Sequence, residues 1–325
     1  MRSSGPNPTP DPVPETEPDP ALDPVLGATG PTGPNGAART CQPGRAGGRR
    51  ATLCRAAAVP PGEGIAMGDV RYGARAAEQR SNREVEATRS PIWSKAVTIV
   101  FRTDPEAIAA VLPRPLEPAA PTARLRIAVV DMGTGLATFG AGWFGVRARH
   151  GQVDGEYALF MPMSTEQATT GGRETFGEPK KIAQLSLDVD GDALHAQVSR
   201  MGSKVAEMSG TLGPESPGYE IDKLDFYFKG LPDPSGEGLD SDPALVYCRR
   251  HETARVVRPV TGECKLLEAP LDPIADFLIE EVLSFEYAEI ASSQVGEIVE
   301  RVPAEWLVPF MHQRYDDLSV LGARS

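Results

Sequence analysis

Histidine and cysteine are scarce in this 325-residue chain, with four of each. No two of His150, His195, His251 and His312 fall within a helical turn of one another, and Cys41, Cys54, Cys248 and Cys264 form no CxxC pair. A metal centre and a disulfide scaffold therefore lack their usual ligands, and so few thiols fit a reducing compartment. No stretch reaches the roughly 18 uninterrupted apolar residues of a membrane helix. The first residues, Met1-Arg2-Ser3-Ser4-Gly5-Pro6, lack the apolar core of a secretory signal. The expected location is the cytoplasm. Cationic charge is also in deficit, with 33 Lys+Arg against 45 Asp+Glu and a formal charge of −12. Phosphate-backbone binding needs a concentrated cationic surface, so neither a nucleic acid nor a membrane is expected as a partner. There is no GxGxxG after a strand, no GxxxxGK[ST], no GxSxG and no HExxH. Nucleotide-phosphate binding, serine hydrolysis and zinc proteolysis thus have no support, and neither cofactor nor metal is expected.

What is present is unevenly distributed. Residues 1–66 hold about 13 of the 31 prolines and show no apolar periodicity, which is the composition of a disordered extension. Met67 is a candidate true start. The rival readings are a genuine flexible tail and, less in keeping with the acidic Pro-rich head, a targeting arm. Residues 67–91 read as a lead-in, and 92–318 as the folded domain.

Within that domain Val97, Ile99 and Phe101 recur every second residue, and Leu125, Ile127 and Val129 repeat the period, as half-buried strands do. Between them Asp104, Pro105 and Glu106 open a short helix with Ile108, Val111 and Leu112 on one face, stopped by Pro113. Leu185, Leu187 and Val189 lead to an Asp190-Gly191 turn and a return through Leu194, Ala196 and Val198. Further short strands are expected at 205–212, 224–228, 245–247 and 264–267, and a helix near 303–312. The resulting class is α+β, mainly antiparallel β, closed into a barrel or packed as a sandwich.

One segment stands apart: Gly172-Arg173-Glu174-Thr175-Phe176-Gly177-Glu178-Pro179-Lys180-Lys181. By itself it reads as a charged loop. Apolar residues flank it closely, however, with Leu159, Met161 and Met163 before and Ile182, Leu185 and Leu187 after. A lysine at the mouth of a barrel loses hydration, which disfavours its charged form, and a neighbouring cation acts the same way. Lowering a lysine from about 10.4 to neutrality takes about 4 units, or roughly 5 kcal/mol. A neutral amine can attack a ketone, and the protonated imine then serves as an electron sink.

Gly172-Arg173-Glu174 followed by Pro179-Lys180-Lys181 resembles the signature of the acetoacetate decarboxylase superfamily. So do Phe101-Arg102-Thr103-Asp104, Leu112-Pro113 with Pro115-Leu116-Glu117, Gly135-Leu136, Gly155-Glu156-Tyr157 and Met201-Gly202 with Lys204. The likeness is good over about 92–213 and looser to about 318. It implies a β-barrel or cone with short flanking helices, a Schiff-base lysine at Lys180, a small oxo acid as substrate, no cofactor and a homo-oligomer. Acetoacetate decarboxylase is itself a standing example of a lysine activated by desolvation or a neighbouring cation. Two partners that the resemblance leads one to expect, an arginine and a glutamate, are replaced by Ser94 and Ala141. That opens aldol, retro-aldol or dehydration chemistry on 2-oxo acids beside decarboxylation, and Glu178 before Pro179 also resembles the divergent branch. Lys181 is a candidate to tune Lys180, although neighbours on a strand face opposite ways. Glu174 is a candidate proton carrier and Arg173 a candidate carboxylate ligand. Glu166, Gln167, Met161 and Met163 are expected to line the pocket, and Tyr287 and Tyr315 are possible late-chain acids. The alternative from another class is a non-catalytic small-molecule binding or regulatory barrel.

Overall fold

The computed structural model describes residues 92–132 and 138–322, together with Tyr72 and two strands nearer the N-terminus. Those strands, β1 (Ala37–Pro43) and β2 (Thr52–Ala58), pair as an antiparallel hairpin inside the Pro-rich leader, where composition gives no expectation of regular structure. The rest of residues 1–66, the lead-in 67–91 apart from Tyr72 and so including Met67, and the Gly135-Leu136 landmark lie outside the described residues.

From residue 92 the chain runs through β3 (Trp93–Arg102), helix α1 (Pro105–Val111), β4 (Glu117–Val130), β5 (Phe139–His150) and β6 (Val153–Met163). Helix α2 (Glu166–Phe176) leads to β7 (Lys180–Ile182), then β8 (Gln184–Asp190), β9 (Ala193–Arg200), β10 (Ser203–Leu212) and β11 (Tyr219–Lys229). Two long strands follow, β12 (Ala244–Leu266) and β13 (Glu281–Arg301), and then short helices α3 (Ala304–Leu307) and α4 (Met311–Arg314). The helix after Asp104 forms as its cap predicts, with Glu106 N donating to Asp104 Oδ1 at 2.8 Å. The turn at Asp190-Gly191 joins β8 to β9 in the expected register, Asp190 opposite Ala193.

Seven strands close a ring in the order β11-β6-β5-β4-β3-β13-β12, with β12 pairing back onto β11. Closure removes the exposed edges that an open sheet of this length would carry. Strand β12 belongs to two sheets. Its first part pairs with β11 and β13, whereas Val260–Leu266 pairs with β10, extending into β9 and β8. The switch falls at an irregularity between Arg255 and Arg258, where Val256 has φ 54°. A bulge bends a strand enough to change sheets. Sequence periodicity therefore shows two short strands, 245–247 and 264–267, where the chain makes one strand of 23 residues. The expected helix near 303–312 is likewise interrupted, by a 3-10 turn at Val308–Phe310, where Pro309 has no N–H to donate.

The main apolar core lies between the outer face of the barrel and the second sheet. Val97, Ile99, Phe101, Leu125 and Ile127 meet Ala196, Val198, Val205 and Met208 there, each large side chain contributing roughly 1.5–3 kcal/mol by burial. The intervening residues face inward and are unusually polar. Arg126 of β4 lies 2.6 Å from Glu252 of β12 although β3 and β13 separate their strands, so the pair meets inside the ring. Lys223 Nζ reaches the other Glu252 oxygen at 2.8 Å. Burial, reinforced by Arg126 and Arg124, brings the Lys223 ammonium down to about 8. A second interior cluster is apolar, with Trp143, Met161, Met163, Tyr227 and, from α2, Phe176.

Candidate active site

Helix α2 carries the chain from β6 back to a parallel partner strand. Thr165 caps it, its hydroxyl accepting from Ala168 N at 3.4 Å, and Glu166 adds an acidic first turn. The helix ends at Gly177, whose N–H returns to Arg173 O at 3.1 Å with φ 83°. A Cβ at Gly177 would also lie 2.5 Å from Phe228 O, so conformation and space both call for glycine. Glu178-Pro179 then leads into β7, where Lys180 pairs with Met161 and Ile182 with Met163 of β6. The run Thr169-Thr170-Gly171-Gly172 consists of weak helix formers, which is why the sequence reads as a loop. The cap residues at both ends were the available signal.

Lys180 projects beneath α2, its side chain only 13% exposed, and opens on a cleft of about 370 Å³ lined also by Thr169, Arg173, Arg200, Tyr315 and Asp316. Its Nζ lies 2.8 Å from Glu178 Oε2, and Glu178 is buried. The other Glu178 oxygen is 3.7 Å from Arg250 Nη2, and Arg250 Nε donates to Asp225 Oδ2 at 3.1 Å. Asp225 Oδ1 in turn lies 3.9 Å from Arg124, which is bidentate on Glu156. Alternating charges thus run from the cleft into the barrel. Burial pushes the Asp225 carboxyl up in spite of Arg250 and Arg124 beside it. Glycine at 172 lets the helix approach this group: a Cβ there would sit 1.9 Å from Glu178 Oε2 and 2.5 Å from Lys180 Nζ. Gly172→Ala must displace those two side chains. Any activity that depends on the Lys180 amine is expected to fall about 100-fold, as a displacement of about 1 Å would cause, while the far-UV circular dichroism spectrum stays unchanged.

Residues 75–302, well over half of the chain, match the family model described as acetoacetate decarboxylase. The chain belongs to the acetoacetate decarboxylase family. An acetoacetate decarboxylase of Burkholderia vietnamiensis is 27% identical over 214 residues, covering 62% of this chain and 85% of that protein. Among solved structures, acetoacetate decarboxylase from Legionella pneumophila aligns with TM-score 0.57 and 19% identity, over 75% of this chain and 98% of its own. The enduracididine biosynthesis enzyme MppR, complexed with the condensation product of pyruvate and imidazole 4-carboxaldehyde, aligns with TM-score 0.54 and 17% identity, covering 65% of this chain and 90% of that one. This chain is an acetoacetate decarboxylase-like enzyme, and its mainly β barrel is the fold that the sequence resemblance implies.

Lys180 and Lys181 diverge in this structure as strand neighbours must. Lys181 Nζ donates to Asp272 Oδ1 at 3.0 Å and Leu271 O at 3.3 Å, and lies 3.1 Å from Asp316. Arg200 binds the same two carboxylates. The Lys181 charge is therefore matched by acids on the side away from Glu178, and the residue ties the C-terminal segment to the barrel. Arg173 lines the cleft, its Nη1 donating to Lys180 O at 3.0 Å and Arg314 O at 3.2 Å. Arg314, missed in the sequence, bonds Gly177 O, Phe228 O and Arg173 O, fastening the same segment over the end of α2.

Other expected site residues lie elsewhere. Glu174 is exposed on α2 and absent from the cleft wall; two residues beyond inward-facing Gly172, it is turned about 200° away. The structure does not bring it to Lys180. Gln167 is exposed and off the cleft, and Glu166 stands on its rim. Met161 and Met163 fill the barrel interior rather than the cleft wall. Ser94 Oγ donates to Ile290 O at 3.0 Å, and Ala141 pairs with Met163, so neither position supplies a charge. Tyr287 is buried in the main core, which pushes its phenol up. Tyr315 does reach the cleft, its ring 5.1 Å from the Arg173 guanidinium. Among the described residues no group of three or more His, Cys, Asp or Glu is placed to hold a metal ion.

Proposed function

We propose that this enzyme is a Schiff-base lyase acting on a small oxo acid through an imine on Lys180. The observation that carries the reading is a nearly buried lysine whose amine meets a cleft large enough for a small acid, with a guanidinium on the same wall. The amine attacks the substrate carbonyl, water leaves, and a protonated imine forms. In decarboxylation of a β-keto acid the electrons of the C–C bond to the carboxylate then flow to that nitrogen, carbon dioxide departs, and the enamine takes a proton before hydrolysis frees the ketone.

Arg173 is the proposed carboxylate ligand. Burial and the adjacent Arg314 both push its pKa down, and a docking carboxylate relieves both costs while matching the guanidinium geometry. Arg173→Gln is expected to raise KM about 10- to 100-fold, the worth of a charged hydrogen bond of about 1.5–3 kcal/mol, with a smaller change in kcat in steady-state assays.

A second reading keeps the same lysine and places aldol or dehydration chemistry on a 2-oxo acid there. It is favoured by the neutral Ser94 and Ala141 and by the pyruvate condensation product bound in MppR. Borohydride reduction in the presence of acetoacetate, pyruvate and bulkier oxo acids tests both. A mass adduct on the Lys180 peptide supports imine formation, and release of carbon dioxide or loss of water separates the two reactions. No adduct with any of these acids, in folded protein, would favour the binding-barrel alternative.

A further inference from the structure

Imine formation needs a group that takes a proton from the lysine ammonium and later returns one to the departing hydroxyl, and Glu174 faces away from the site. We infer that Glu178 is that acid–base catalytic residue, with Arg250 as its positioning residue; the inference rests on the imine reading proposed for Lys180. Glu178 Oε2 lies 2.8 Å from Lys180 Nζ and is closed from solvent. At that distance, with no room for a water between, it is placed to take a proton from the amine and to return one to a reacting atom. Chain geometry holds it there. Pro179 N is part of the peptide that follows Glu178, Lys180 N donates to Glu178 O at 2.8 Å, and Met161 N donates to Pro179 O at 3.2 Å, so acid and lysine sit on one clamped turn. Arg250 approaches the far oxygen at 3.7 Å and is itself fixed on Asp225 at 3.1 Å. Gly172 leaves the space that the pair occupies.

The step balances without any added reagent. Oε2 accepts one proton from the Lys180 ammonium, and the freed nitrogen pair forms the C–N bond to the substrate carbonyl carbon. The attacking nitrogen passes one of its two remaining protons to the carbonyl oxygen, giving the neutral carbinolamine, and that hydroxyl then takes the Glu178 proton and leaves as water as the protonated C–N double bond forms. Glu178 ends as the carboxylate from which it began.

Glu178→Gln keeps the volume and removes the proton acceptor, and Arg250 retains Asp225, so the fold should persist. The expected result is a fall in kcat of about 100- to 1,000-fold, the usual range for loss of a general acid–base group. The acid limb of the pH–rate profile should disappear, and borohydride trapping should slow by a similar factor while reaching the same final adduct on Lys180. Added formate should restore part of the rate in Glu178→Ala. A Glu178→Gln enzyme with the wild-type pH profile and trapping rate, or Glu178→Ala that is folded by its melting curve but shows no response to formate, would overturn the role. Loss of trapping in the wild-type enzyme with every oxo acid would instead remove the imine reading itself and this role with it.

Discussion

Lys180→Ala is expected to reduce turnover at least about 10⁴-fold, a loss of about 5.5 kcal/mol of transition-state stabilisation at roughly 1.4 kcal/mol per factor of ten. It should also abolish the borohydride adduct. The two readouts are linked by the covalent step: without the amine no imine forms, and no other described lysine lines the cleft except Lys181, whose Nζ is held by Asp272 and Leu271 O. Lys181 therefore cannot take over the role without breaking a buried ion pair, which costs roughly 3–5 kcal/mol. Lys180→Ala also leaves the buried Glu178 carboxylate relying on Arg250 at 3.7 Å, so it should lower stability too, by up to about 3–5 kcal/mol, and the turnover comparison is made well below its melting temperature. A variant that retained more than about a tenth of wild-type turnover would exclude Lys180 as the nucleophile.

The largest stability effect is expected inside the barrel, at Glu252. Its carboxylate is buried and receives both Arg126 and Lys223, at 2.6 and 2.8 Å. Burial opposes its ionisation, but the two cations outweigh that and hold the carboxyl far below the ordinary carboxylate range. Glu252→Gln leaves two half-buried cations inside the barrel without their counter-charge, and the expected loss is up to about 3–5 kcal/mol, read as a lower urea midpoint. The pH dependence follows in sign. Because the folded value is depressed, the unfolded chain binds the proton first as pH falls, so this contribution is complete above the unfolded pKa of about 4.3 and is lost progressively below it. The melting temperature of the wild-type protein should therefore drop on acidification below about pH 4.3, and that acid-dependent drop should be shallower in Glu252→Gln.

Both sites show where local pattern ends. The alternation at 97–101 and 125–129 is legible because one face of each strand meets the main core and the other does not, so period two is written into residue type. The inward face of the same strands, Thr98, Arg124 and Arg126, reads as ordinary solvent-facing polarity until closure places it inside a ring. Helix α2 was obscured because its weak formers are offset by caps and by packing against β7 and β11. Strand β12 was divided because its bulge carries apolar residues into a different sheet.

Sequence alone determined the class of fold, through strand alternation and the short capped helix at 105–111, and it singled out Lys180 through the Gly172-Arg173-Glu174 and Pro179-Lys180-Lys181 frame. These are local properties, carried by neighbours within a few residues. Tertiary structure alone decided which charges act together: Arg126 with Glu252 across 126 positions, Lys181 with Asp272 across 91, and Arg250 brought up to Glu178 and Asp225. It also chose Glu178 over Glu174 as the acid beside the lysine. The helical turn points one carboxylate to solvent while the clamped Glu178-Pro179-Lys180 turn buries the other, and burial is a property of the closed barrel and its covering helix, not of either residue.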